Sequence, residues 1–258
     1  MDPQNTTVPA LERALNILEY LSTSEQPVSL KTLSGELNIP TASAFRLMKN
    51  LTNRGYVVEH TGGQVTYALG EQVTMLAMAG QRGNSLWAKA VPLMRTLSNS
   101  LGQTSQLAVM KQGTLMYIGQ RLPDEPNKVN VLAPLYTPLN IHTSAGGKVL
   151  FSYLNEKEQI KCLKSMSFQQ ATPKTITDPI KFREMAACVR AQGYGLDDEE
   201  YAIGIGCLAV PVFQQDQCIA ALGITGSITA YHDQEEAARM LRALQKSAEA
   251  LSRTLAFC

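Results

Sequence analysis

The chain has 258 residues, 45% hydrophobic and 17% charged, with a net charge of +1: long enough for two domains, and too nearly neutral to decide a partner. No apolar run reaches the roughly 18 residues of a membrane span, and the start MDPQNTTVPALERAL lacks the parts of a secretory signal, so a cytoplasmic protein with no membrane partner is expected. Five scattered cysteines (Cys162, Cys188, Cys207, Cys218, Cys258) without Cys-x-x-Cys spacing, and three unrelated histidines, argue against a disulfide framework or zinc site, so no metal and no cofactor are expected.

In the first seventy residues, Leu11, Leu15, Leu18 and Leu21 recur at helical spacing and predict an amphipathic helix over roughly residues 10–22. Ser29 is placed to cap a second short helix marked by Leu30, Leu33 and Leu37. After the turn Asn38-Ile39-Pro40, a third helix begins at Thr41 with Ala44, Leu47, Met48 and Leu51 on one face, and Arg54-Gly55 stops it. Two short alternating runs, Tyr56–Glu59 and Gln64–Leu69, flank Gly62-Gly63 and predict a hairpin. Helices and hairpin in this order describe a winged helix-turn-helix. The third helix carries Arg46, Lys49 and Arg54 with no acid between Thr41 and Tyr56, so its polar face of Thr41, Ser43, Arg46 and Lys49 suits a major groove. Lys31 and the hairpin turn Thr61-Gly62 complete the expected DNA-facing set. Residues 1–70 hold five Lys/Arg against six Asp/Glu, so placement rather than total charge carries this expectation. Winged helices also serve as protein-interaction modules.

Val73, Leu76, Ala77 and Gly80 continue a helical pattern, followed by a further helix with Ala90, Val91, Met94, Leu97 and Leu101. Strand-like runs come next at Ser105–Met110, Leu115–Arg121 and Val129–Ala133. Helices over Gly146–Tyr153, Glu156–Lys164 and Ile180–Gln192 then combine with strands at Cys207–Phe213 and Cys218–Thr225, an α/β pattern. The segment His142 to Lys148 (HTSAGGK) opens one of these helices. Its small residues allow close approach, and free first-turn amides suit an anion, although Ser144 alone makes it an ordinary capped start. It is not a phosphate-binding loop, because His142 stands where that motif needs glycine.

The stretch Gly193–Phe213 (GYGLDDEEYAIGIGCLAVPVF) runs four acids, Asp197 to Glu200, into an apolar strand that opens with Cys207. It reads either as a solvated acidic loop or as the polar edge of a ligand site. A thiolate nucleophile at Cys207 would want a base, for which His142 is the candidate; a lone cysteine opening a core strand is more often a small buried apolar group. The likeness of Gly204–Ala209 to a dinucleotide fingerprint fails because Pro211 prevents the helix that pattern needs.

Three N-terminal motifs, ALERALNILEYL, PTASAFRLMKNLTNRGYV and the wing end YALG, join three C-terminal ones, HTSAGGKVL, TPKTIT and the acidic stretch. On these ordered motifs the chain resembles the IclR family of bacterial transcription regulators across nearly its whole length. The resemblance implies an α+β protein: a winged helix-turn-helix DNA-binding domain over residues 1–70, a linker helix over 71–84, and a GAF-like effector-binding domain with a largely antiparallel sheet over 85–258. It also implies dimers or tetramers, a double-stranded DNA operator, and a small organic acid or sugar acid as effector. Carried over by matching residues, the implied effector site comprises Ala145 and Gly146 as backbone donors, Asp197 and Cys207 as side chains, Gly223 and Thr225 from the last strand, and Val131. Gly223 departs from the serine of many relatives and opens space there. Glu200 fits the signature in a structural role.

The expected function is a ligand-responsive regulator, a repressor of a catabolic operon, without catalytic residues. The rival is an enzyme acting on a small carboxylate through residues 85–258, its winged domain serving assembly; against it stands the lack of an acid/base pair outside residues 197–200. A third reading, an architectural DNA binder with a vestigial sensor, conflicts with the intact Gly, Asp and Cys set.

Overall fold

The computed structural model describes residues 8–80, 86–125 and 131–256. The chain divides after residue 82 into two compact units. The first is built from α1 (Pro9–Thr23), β1 (Val28–Ser29), α2 (Leu30–Glu36), α3 (Thr41–Asn53), β2 (Val57–His60), β3 (Thr66–Leu69) and α4 (Glu71–Gly80). Ser29 caps α2 as expected, its hydroxyl accepting the Thr32 amide at 3.1 Å. Ile17, Leu33, Ala44, Met48 and Val57 form the centre of this unit's core. Two expectations are corrected. The predicted stripe of α1 holds only at its C-terminal half: Leu21 is buried and Leu18 packs on the core, but Ile17 is fully buried while Leu11 and Leu15 are 56% and 45% exposed. The wing is a three-stranded sheet, not a bare hairpin, because Val28 and Ser29 pair antiparallel with Tyr67 and Thr66.

The second unit comprises α5 (Leu86–Leu101), β4 (Thr104–Lys111), β5 (Thr114–Arg121), α6 (Ala145–Ser152), α7 (Glu156–Ser165), α8 (Pro179–Gln192), β6 (Gly195–Asp198), β7 (Ile205–Gln214), β8 (Gln217–Ser227), α9 (Ile228–His232) and α10 (Gln234–Leu255). Its five strands pair antiparallel throughout, in the order β5-β4-β8-β7-β6. One sheet face presents Leu107, Val109, Leu208, Val210, Leu222 and Ile224 to α5 and α10. The other presents Ala108, Ala209 and Ala221 to a layer that includes Ala145, Val149, Phe151 and Phe182. The alternation of large and small along each strand thus sets two helical layers at different depths.

Small residues let α6 sit against the sheet. All eight of its residues are buried, and a Cβ on Gly146 would stand 3.1 Å from the Cβ of Ala108. Gly147 is tighter still, since a Cβ there would meet the Ile141 carbonyl oxygen at 2.5 Å and its Cα at 2.8 Å.

Three further differences from the sequence expectations concern this unit. The first two acids of the 197–200 run lie in a strand, β6, rather than a loop. Of the expected strand 129–133, residues 129 and 130 lie outside the described residues, as do residues 81–84 of the expected linker helix, and 131–133 form no strand. Ala133 is instead held by the Gln120 side chain, which accepts its amide at 3.0 Å and donates to its carbonyl. Finally α10, 22 residues long, buries Met240, Leu244, Ala248, Leu251 and Leu255 at helical spacing and has no counterpart in the predicted elements.

Gly147→Ala is expected to destabilise the second unit by about 1–3 kcal/mol through overpacking against backbone that cannot yield. Gly35→Ala, where an added Cβ meets nothing within 4 Å, is expected to stabilise the first unit by up to about 1 kcal/mol. Denaturant unfolding of the two variants checks both signs.

Candidate functional site

In the first unit, α3 turns Ala44 and Met48 into the core and leaves Thr41, Arg46 and Lys49 exposed, with Arg54 exposed at its end. Ser43 is half-buried and so lies at the border of the face on which it was expected. Ala42 and Phe45, overlooked in the sequence, are exposed beside Arg46, Phe45 to 52%. Lys31 on α2 and Thr61-Gly62 in the β2–β3 turn are exposed too. A face of two cations, a hydroxyl and two apolar side chains can meet phosphates, base edges and thymine methyls.

In the second unit, strand pairing assembles a site from distant segments. Asp197 of β6 is registered with Cys207 of β7, Cys207 with Thr225 of β8, and Thr225 with Thr104 of β4, making one transverse row. The next row on the same face is Gly195, Ala209, Gly223 and Gln106. The start of α6 stands over these rows, with Ser144 capping the Gly147 amide at 3.3 Å and its hydroxyl 3.3 Å from that of Tyr117. A cavity of about 40 Å³ opens here, its walls including Val131, Asp197, Cys207 and Thr225. A smaller one of about 10 Å³ lies between Ala145, Gly146 and Gly223, and Gln106, Tyr117 and Cys207 line both. All seven residues expected to hold an effector therefore border these two neighbouring spaces.

The loop behind Asp197 is electrostatically organised by Lys148, which is 1% exposed. Its ammonium donates to the Leu196 carbonyl at 2.7 Å and pairs with the Glu200 carboxylate. Asp197 accepts the amides of Glu200 at 2.7 Å and Tyr201 at 3.2 Å, both on Oδ1. Burial pushes its carboxyl up to about 6, outweighing those amides and the nearby Lys148. The TPKTIT motif clips the same loop: the hydroxyls of Thr172 and Thr175 each donate at 2.7 Å, to the carbonyls of Glu199 and Glu200. On its outer side Lys174 pairs with Asp198 at 3.1 Å and Glu199 at 2.7 Å, and His232 meets Asp198 at 2.7 Å. The acidic run is thus a held structure, with Asp197 and Glu200 buried and Asp198 and Glu199 bridged at the solvent side.

Cys207 donates its thiol to Thr225 Oγ1 at 2.9 Å, and burial holds the thiol far above its ordinary range. The Thr225 hydroxyl in turn donates to the Gly206 carbonyl at 3.3 Å. His142, the candidate base, is buried elsewhere, bonded to the Gln169 carbonyl at 3.0 Å and packed on Phe168. A protonated thiol without a base is a poor nucleophile. Among the described residues no cluster of His, Cys, Asp and Glu could hold a metal, and no helix is long and apolar enough to cross a membrane. A wider cleft, about 820 Å³, lies at the opposite end of the sheet around Tyr153, Arg190 and the β7–β8 turn. It is a broad surface cleft, and Arg190 there is engaged by the Ser152 carbonyl at 3.0 Å and the Tyr153 ring.

A winged helix with a cationic reading face, joined to a unit enclosing a small, mostly apolar cavity edged by Asp197 and Thr225, defines a ligand-responsive transcription regulator. Residues 10–60 match the IclR helix-turn-helix domain, and residues 78–253 the family described as bacterial transcriptional regulator IclR C-terminal. The chain is 28% identical over 232 residues to the transcriptional repressor IclR of Escherichia coli K12, covering 90% of this chain and 84% of that protein. It is 30% identical over 219 residues to the HTH-type transcriptional repressor AllR of the same strain, covering 84% and 79%. In fold it matches a putative IclR regulator from Silicibacter sp. (TM-score 0.83, 23% identity, 96% of each chain). It likewise matches an IclR homolog from Microbacterium hydrocarbonoxydans complexed with 4-hydroxybenzoate (TM-score 0.82, 20% identity, 96% of this chain and 100% of that one). The chain belongs to the IclR family and is a ligand-responsive, DNA-binding transcriptional repressor.

The raised Asp197 carboxyl carries a stability signature. Its contribution is fully present below pH 4 and is lost as pH rises through about 6, an order of about 3 kcal/mol. Relative to Asp197→Asn, the wild type is therefore expected to lose stability between pH 4 and 7. Denaturant unfolding of both proteins across that range checks this; a constant difference between them refutes it.

Proposed function

We propose that the paired cavities of the second unit bind a small hydroxy or keto carboxylate, and that its binding shifts the operator affinity of a homo-oligomer controlling a catabolic operon. The observation that carries this reading is the convergence of Ala145, Gly146, Asp197, Cys207, Gly223, Thr225 and Val131 on one cavity system. First-turn amides of a helix have no intrahelical partner, so Ala145 and Gly146 offer donors to a carboxylate, aided by the helix dipole. Asp197 faces the oxygen next to that carboxylate, Cys207 forms the wall, and the Thr225 hydroxyl, already donating to Gly206, serves as an acceptor and spacer. The 4-hydroxybenzoate held by the Microbacterium homolog supports an acid as the ligand class. The protonated state of Cys207 and the distant engagement of His142 speak against the enzymatic alternative.

On the DNA side, Arg46 and Lys49 carry the reading face, with Thr41, Ser43, Lys31, Arg54 and the wing residues Thr61 and Gly62 in support. The exposed Leu11 and Leu15 of α1 favour pairing between copies, which would read half-sites about one helical turn, or a multiple of it, apart.

Three measurements test this. With an operator selected from a random duplex library, Arg46→Ala is expected to cost about 1–3 kcal/mol of binding. Lys49→Ala is expected to reduce the salt slope by about one; unchanged affinity in both variants removes α3 from the interface. Asp197→Asn is expected to bind operator as the wild type does while losing its response to the carboxylate that most stabilises the wild type in a thermal-shift screen. An undiminished response removes Asp197 from the site.

A further inference from the structure

The charges around the cavity restrict what an effector can bring into it. Two buried carboxylates, Asp197 and Glu200, stand against one buried ammonium, Lys148, which is already committed to Glu200 and the Leu196 carbonyl. The second oxygen of Glu200, Oε2, is buried with no hydrogen-bond partner among the described residues, so this group already lacks positive charge. The other titratable groups felt by Asp197 are Cys207 of β7, Tyr117 of β5, Tyr231 of α9 and Tyr201 of the adjoining loop. Burial pushes Cys207, Tyr117 and Tyr231 toward their uncharged forms. Lys174 and His232 are spent on Asp198 and Glu199 at the exposed side of β6 and its loop. Among the described residues, a ligand carboxylate entering this space meets a like charge with no unspent cation beside it, and two carboxylates sharing a buried site do not both stay ionised.

Resting on the effector reading above, we propose that the site takes a short monocarboxylate together with one proton, held between Asp197 Oδ2 and the ligand oxygen nearest it, and that it rejects dicarboxylates. Both loop amides bond Oδ1, so Oδ2 has no main-chain partner from the loop, and the Cys207 thiol is the side chain within hydrogen-bond reach of this carboxylate. The unliganded carboxyl, at about 6, is largely ionised at pH 7.5, so the proton is taken up on binding. Size agrees: cavities of about 40 and 10 Å³ correspond to only a few water-sized sites, at roughly 10–15 Å³ each. A second carboxylate would add both bulk and a charge that one proton does not cancel.

Calorimetric titration of the full-length protein with glycolate, pyruvate and 2-oxobutyrate, in Hepes and in Tris at pH 7.5, reads the number of protons absorbed. Close to one proton per monocarboxylate is expected at pH 7.5 and close to none at pH 5, with Kd rising about tenfold per pH unit above 7. Oxalate and malonate are expected to bind at least about a hundredfold more weakly, and whatever weakened binding of monocarboxylates Asp197→Asn retains is expected to show no proton uptake. Binding with no proton uptake in the wild type, or dicarboxylates as tight as monocarboxylates, overturns the proposal while leaving the carboxylate reading intact. Failure of every acid to bind removes that reading and the proposal with it. The proton count uses the wild type alone, so it does not depend on how the variant folds.

Discussion

An ammonium group buried on a fully enclosed helix has to be neutralised where it stands, because an unpaired charge there would cost several kcal/mol. Lys148 meets this demand with the Glu200 carboxylate and the Leu196 carbonyl. Those partners come from strand β6 and the turn that follows it, so one charge ties α6 to the sheet's edge strand. The turn is then locked from three sides: by the Asp197 carboxylate on its amides, by Thr172 and Thr175 on its carbonyls, and by the Lys174 bridge outside. Glu199 and Gly204 supply the left-handed backbone that bends it back into β7, with φ of 59° and 84°. The result is a rigid polar rim around a cavity whose other walls are apolar or hydroxylic.

The sheet supplies the matching constraint. Its α10 side is filled by Leu, Val and Ile, and the central strands of its α6 side are reduced to Ala108, Ala209, Ala221 and Gly223. A helix can approach closely only on the reduced side, and it brings its N-terminus to the row where Asp197, Cys207 and Thr225 lie abreast. Packing and ligand chemistry therefore have one cause: the residues small enough to admit α6 also leave room at its start.

Much of the fold was legible from local pattern. The caps, the turn at Asn38-Ile39-Pro40 and most strand positions follow from apolar period and breaker residues. The stripe of α1 was right at Leu18 and Leu21 and misread at its start, because Leu11 and Leu15 are conspicuous while Ile17, which packs fully, falls off their spacing. The signal for α10 was present in Met240, Leu244, Ala248, Leu251 and Leu255, and needed only to be counted. The site was different. Its residues became visible through motif resemblance, since a transverse row through β4, β8, β7 and β6 depends on registers between segments up to 121 residues apart, Thr104 to Thr225. Lys148 and Gln120 carried no signal, because nothing in an apolar helix start or an edge strand announces that a polar side chain will turn inward. Phe45 was hidden by the habit of assigning aromatics to the core.

The two borders of the large sheet have a consequence for how copies of this unit can meet. On one side β5 is bridged by Leu135 and Leu139 of the following segment. On the other, β6 is only four residues long and ends in two aspartates. Short, charged or overlaid margins resist strand addition from a neighbour, which would otherwise invite open-ended polymerisation. Self-association of this unit is thereby steered away from main-chain pairing and toward side-chain surfaces, where it can stop at a defined number.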